Sequence, residues 1–126
     1  MVGIKKIPLK VIQVKKGNIY KFISKKEIFF KKFGEIYFSE IKFNKIKGWN
    51  YHKKNKCQVA VISGKVRFSF LKKNKKSFIS KTIILSSKNY SMIVIPPKVY
   101  FSFKGLNKFN LIVNFLENIH DPKESL

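Results

Sequence analysis

The chain has 126 residues, a formal net charge of +22 and 44% apolar residues, thirteen of them Phe. A chain of this length is expected to form one domain that buries about two-thirds of its unfolded surface, and this apolar content argues against disorder in spite of the charge. No apolar run approaches the roughly 20 residues of a membrane-spanning helix, and "MVGIKKIPLKVIQVKKGN" is broken by Lys and Pro too often for a signal peptide, so a cytoplasmic location is expected.

Apolar residues alternate with period two through most of the chain, which places every second side chain on one face of a sheet. In chain order the predicted strands are "PLKVIQV" (8–14), "NIYKFIS" (18–24), "EIYFSEIKF" (35–43), "QVAVIS" (58–63), "KVRFSFL" (65–71), "SFISKTIIL" (77–85), "SMIVI" (91–95), "VYFSF" (99–103) and "NLIVNFL" (110–116). Turn signals separate them: Gly17-Asn18, Gly34, Asn44, Gly48, Ser63-Gly64, Asn74, Asn89, Pro96-Pro97 and Gly105 to Asn107. A helix competes only in "SKKEIFFKKFG" (24–34), which reads as a loop or a single turn. Two hairpins are expected, one around Ser63-Gly64, where Gly supplies a positive φ, and one around the lysines and Asn74 of "FLKKNKKSFI". Many short strands at close spacing imply an all-β sandwich or barrel. Residues 1–118 are read as one domain and 119–126 as a C-terminal tail.

Twenty-seven of the 28 cations are Lys, spread from Lys5 to Lys123, and Arg67 is the only Arg. Clustered cations gain affinity for phosphate backbones by counterion release, but a base-reading surface recruits the planar fork of Arg. Phe, Ile, Lys and Asn together supply 67 residues, a usage that AT-rich coding produces without selection for function. Nucleic acid is therefore not the expected partner, and the alternating Phe residues are assigned to the core. The single Cys57 opens the strand pattern "CQVAVIS" and reads as a packed residue, and no Cys/His cluster has zinc spacing. Of the two histidines, His120 falls in the tail, whereas His52 stands in "IKGWNYHKKNK". His52 is a candidate catalytic base or a polar residue at the mouth of a barrel.

The segments "FGEIYFSEI", "IKGWNYHKK", "VISGKVRF", "IPPKVYFSFKGL" and "VNFLENIHDP" occur in an order that resembles the cupin family of dTDP-4-dehydrorhamnose 3,5-epimerase and related sugar 3,4-ketoisomerases, over residues 33 to 122. The resemblance implies a cupin (jelly-roll) β-barrel, usually a homodimer, that binds a nucleoside-diphosphate 4-keto sugar without a cofactor. It implies proton abstraction next to the ketone, an enolate stabilised by a nearby donor, and a place in surface-polysaccharide precursor synthesis. An imidazole suits the base, with an ordinary pKa of about 6.5.

Epimerases carry R-G-L-H-Y-Q where this chain has Lys47, Gly48, Trp49, Asn50, Tyr51 and His52, so the family's base position holds Asn50. Aligning "VNFLENIHDP" by its Asp-Pro puts Asn114 at the catalytic Tyr position. The ketoisomerase segment R-G-G-H-A-H-K keeps its second His here as His52, and Tyr37 corresponds to an upstream strand Tyr. The resemblance thus implies His52 and Tyr37 as catalytic residues and Lys47, Asn50, Glu40 and Asn114 as substrate-binding residues. Tyr37 also reads as a packing residue, and Glu40 as a partner for a neighbouring Lys. Asn50 and His52, two apart on a strand, are expected to face the same way. Phe101 stands where many relatives place His, and no metal is expected. The alternative function is a cupin that binds a nucleotide sugar, or a partner protein, without turnover.

Overall fold

The computed structural model describes residues 3–119, and the alternation resolves there into eleven strands: β1 Lys5–Pro8, β2 Val11–Ile12, β3 Ile19–Tyr20, β4 Glu35–Glu40, β5 Ile46–Tyr51, β6 Cys57–Ser63, β7 Lys65–Asn74, β8 Ser77–Ser86, β9 Ser91–Ile95, β10 Tyr100–Gly105 and β11 Leu111–Leu116. A five-stranded sheet runs β1-β9-β6-β11-β4, a four-stranded sheet runs β5-β10-β7-β8, and β2 and β3 form a separate pair. All named strand pairs are antiparallel. No helix among the described residues is long and apolar enough to cross a membrane. The predicted tail lies, apart from Ile119, outside the described residues, as does His120.

The two large sheets share one core. Val59, Val61, Ile93, Ile95 and Ile112 approach it from the five-stranded sheet, and Val66, Phe68, Phe70, Phe101 and Phe103 from the four-stranded one. Burying each Phe contributes about 1.5–3 kcal/mol. The Phe68 ring meets Phe103 edge-on at 5.2 Å. On its outer face the five-stranded sheet carries Ala60 and Val113, packed with Tyr90 beneath Leu9, Val11 and Phe22. Residues 24–34 make isolated turns and no helix: Glu27 N–H donates to the Ser24 carbonyl, and Phe30 N–H to that of Glu27. From this loop Phe30 and Phe33 reach the Phe115 ring at 5.9 and 5.7 Å, and the Lys56 ammonium holds it by donating to the Phe29 carbonyl while pairing with Glu117 at 2.8 Å.

Three departures from the expected elements have physical causes. The predicted strand 8–14 divides: Pro8 ends β1, an edge strand where its missing N–H is tolerated, and Val11–Ile12 turn away to pair with β3. The expected hairpin at Ser63-Gly64 is instead a corner: β6 pairs with β9 and β11, whereas β7 pairs with β8 and β10, so the chain passes from one sheet to the other. Gly64 adopts φ 87°, and a Cβ there would collide with the Phe109 carbonyl. The turn chemistry was legible, but the strands it joins face each other across the core. The other expected hairpin is present as β7–β8, with Asn74 opposite Ser77 and Lys75 at φ 49°.

The third departure is β5, which alternation did not predict. Asn50 lies opposite Phe101 and Lys47 opposite Phe103, so two residues of β5, Gly48 and Trp49, stand against Ser102 alone. This is a β-bulge, and it breaks the period-two signal. Gly48 takes φ 122°, and a Cβ would come within 2.9 Å of the Phe101 carbonyl oxygen and of Ser102 Cβ. Only glycine occupies that position without strain.

Candidate active site

The bulge determines which residues meet. On a regular strand Lys47 and Asn50, three apart, would face opposite ways; the extra residue restores them to one side. There they join Tyr37 and Ser39 of β4, His52, Phe101 and Phe103 of β10, and Ile112 and Asn114 of β11 around a cavity of about 300 Å³. Gly48 and Tyr51 complete its lining.

The cavity grades from a charged rim to a buried floor. Lys47 is exposed at the rim, Asn50 is half-buried, and His52 and Asn114 are buried at 8% and 3% exposure. The His52 ring stacks on Phe101 at 5.9 Å with 28° between planes. Its backbone carbonyl accepts the Lys98 N–H at 2.8 Å, which ties the segment after β5 to the loop before β10.

Asn114 and Tyr37 are directly paired across β11 and β4. Asn114 Nδ2 donates to the Tyr37 hydroxyl at 3.1 Å, while Asn114 Oδ1 is buried without a hydrogen-bond partner. A buried amide oxygen left unsatisfied costs stability. The Tyr37 phenol is pushed above its ordinary value, first by burial and then by Cys57 and Glu35, against a smaller downward pull from Asn114. Tyr37 is therefore a protonated hydroxyl donor at neutral pH.

The Lys47 ammonium donates to Ser39 Oγ at 2.6 Å and to the Glu40 carbonyl at 3.1 Å. Ser39 was not singled out from sequence, although its spacing of two from Tyr37 puts both on one face of β4. Of the six sequence-derived candidates, Tyr37, Lys47, Asn50, His52 and Asn114 come together around the cavity. Glu40 does not line it: its side chain is exposed, and its backbone carbonyl is what holds Lys47. Among the described residues no group of three His, Cys, Asp or Glu side chains has metal-binding geometry.

No protein-family model matches the chain, and no curated protein matches it. Solved structures do. A dTDP sugar isomerase from Desulfovibrio desulfuricans G20 superposes with a TM-score of 0.93 at 26% identity, over 99% of this chain and 83% of that one. The 3,5-epimerase RmlC from Legionella pneumophila Philadelphia 1, in complex with dTDP-4-keto-L-rhamnose, gives a TM-score of 0.83 at 18% identity, covering 98% of this chain and 71% of that one. A mutant of the 3,4-ketoisomerase QdtA from Thermoanaerobacterium thermosaccharolyticum, in complex with TDP-4-keto-6-deoxyglucose, gives 0.85 at 19% identity, covering 100% of this chain and 88% of that one. The chain has the all-β fold of the RmlC-like cupins, and its structural neighbours are dTDP-sugar isomerases and dTDP-4-dehydrorhamnose 3,5-epimerases.

Proposed function

We propose that the chain is a cofactor-independent sugar-nucleotide isomerase or epimerase, acting on a dTDP-4-keto-6-deoxyhexose by proton transfer next to the ketone. The observation that carries this reading is one buried imidazole, His52, in the same 300 Å³ cavity as Asn50 and the Tyr37–Asn114 pair.

In this reading His52 removes a proton from the carbon beside C4, and the electron pair moves to the carbonyl oxygen as an enolate. The Asn50 amide and the protonated Tyr37 hydroxyl donate to that oxygen, and the carbon regains a proton from Tyr37. Asn114, at the cavity lining, orients Tyr37 from the neighbouring strand. Lys47, held by Ser39 and the Glu40 carbonyl, meets the diphosphate as a single point charge in place of the two-point fork of an Arg. Glu40 acts through its backbone. Assembly as a homodimer and a role in surface-polysaccharide precursor synthesis belong to the same proposal.

A second reading, a nucleotide-sugar binder without turnover, is favoured by the amides at Asn50 and Asn114, neither of which accepts a proton at neutral pH. Incubation with dTDP-4-keto-6-deoxyglucose in deuterated water separates the two. Enolisation brings deuterium into C3 or C5, and a protein that binds the compound without exchange is the binder.

A further inference from the structure

The outer face of the four-stranded sheet is unlike its inner one. Val66, Phe68 and Phe70 point into the core, so alternation turns Arg67, Ser69, Leu71 and Lys73 outward. Register extends the outer face across the sheet: Leu71 lies opposite Tyr100, Tyr100 opposite Tyr51, Lys73 opposite Phe78, and Arg67 opposite Lys104. The bulge delivers Trp49 to this side, where Trp49, Leu71, Phe78 and Tyr100 line an apolar notch of about 230 Å³. Trp49 is 50% and Phe78 58% exposed. The Phe residues of β7 and β10 go inward, whereas Phe78 of β8, expected in the core, stands outside because its strand presents it on the face away from the second sheet.

Charge decides what fits this face. The four strands contain no Asp or Glu. Arg67 and Lys104 stand directly opposite one another, and like charges so placed destabilise a sheet. A second copy laid on this face would add its own cations to these, whereas a polyanion would relieve the repulsion. The aromatic notch further selects a polyanion whose charges alternate with flat apolar rings. Unpaired nucleotides have that form: every base offers a π-face to stack on, and every phosphate a partner for Lys or Arg. A duplex keeps its ring faces stacked inside.

We propose that this face binds single-stranded nucleic acid, with bases stacked on Trp49, Phe78 and Tyr100 and phosphates against Arg67, Lys73 and Lys104. The site is separate from the keto-sugar cavity, with which the notch shares no lining residue, and does not depend on turnover there.

Trp49 is the sole Trp of the chain, so its emission reports on this face alone. The experiment titrates the full chain with an oligothymidylate of about 15 nucleotides and follows that emission. Quenching is expected, with affinity falling steeply between about 50 and 200 mM salt. Phe78→Ala is expected to weaken binding about tenfold, by loss of one stacked base. Lys15→Glu, which changes charge in the turn between β2 and β3, is expected to stay within about twofold, since that pair packs on the outer face of the five-stranded sheet and not of the four-stranded one. Absence of quenching overturns the proposal. So does equal binding of an abasic oligomer of the same length, or a Lys15→Glu loss as large as that of Phe78→Ala. Sedimentation of the chain alone supplies the last arm: a homodimer that Phe78→Ala dissociates shows that a second copy occupies the face, and overturns the proposal as well.

Discussion

The side-chain amide of Asn114 and the hydroxyl of Tyr37 meet at 3.1 Å across directly paired positions of β11 and β4. Residues 77 positions apart in the chain are thereby joined in the lining of the cavity. The bond favours ionised Tyr37 and so pulls its pKa down, against a larger upward push from burial. Asn114→Leu is expected to raise the Tyr37 pKa further, seen as a later tyrosinate absorbance in an alkaline titration. An unchanged titration would mean that the amide does not reach the phenol in solution.

Tyr37 and Tyr90 both have folded-state pKa values raised by burial. The sign follows from linkage: below the ordinary tyrosine value of about 10 both states are protonated and the stabilisation is complete. Above it the unfolded chain releases its protons first, so stability falls as pH rises through the folded values. The denaturant midpoint is expected to drop from about pH 9.5 to pH 11, and Tyr90→Phe is expected to reduce that drop. The difference between the chain and the variant isolates the Tyr90 contribution.

His52→Asn is expected to lower deuterium wash-in by about 10²- to 10⁴-fold, the range over which a general base acts. The ring is buried against Phe101, and an amide keeps much of its volume, so the thermal midpoint serves as the control for folding. Unaltered exchange would remove His52 from the base role while leaving the fold assignment untouched.

Ser39→Ala leaves the Lys47 charge in place and removes its 2.6 Å hydrogen bond. The expected result is a KM raised about three- to tenfold at constant kcat, with Lys47→Ala at the upper end or beyond it. That split is the signature of phosphate holding. A fall in kcat at constant KM would instead put the ammonium beside the reacting carbon.

Gly48→Ala tests the bulge. The added methyl meets the Phe101 carbonyl and Ser102 at 2.9 Å in a backbone conformation with φ 122°. Destabilisation of about 1–3 kcal/mol is expected, together with a higher KM as Lys47 loses its register with Asn50. Chemical denaturation and initial rates on the same preparation check both.

Much of the core was legible in the chain itself. Val59 with Val61, and Phe68 with Phe70, alternate with period two, and all four are buried at 0–1% exposure. The cupin architecture came from the resemblance carried by five segments in order, from "FGEIYFSEI" to "VNFLENIHDP", and not from alternation, which gave only an all-β sandwich or barrel. β5 was not legible, because Gly48 and Trp49 together occupy one register position and cancel the alternation on either side. Ser39 escaped for a different reason: a serine beside a tyrosine on a half-exposed strand carries no signal until the lysine that binds it is in place.

What the sequence determined by itself was parity: which side chains share a face of their own strand, that these faces are apolar enough to pack two sheets, and that His52 is the one imidazole among residues 3–119. The tertiary structure decided partnership. Ser63-Gly64 became a corner between sheets, Asn114 was set against Tyr37, and the bulge put Lys47 beside Asn50 while sending Trp49 to the opposite surface. The physical reason is that alternation is a local property of one backbone, whereas hydrogen-bond register and the bulge that resets it arise only when a second strand is present to pair with.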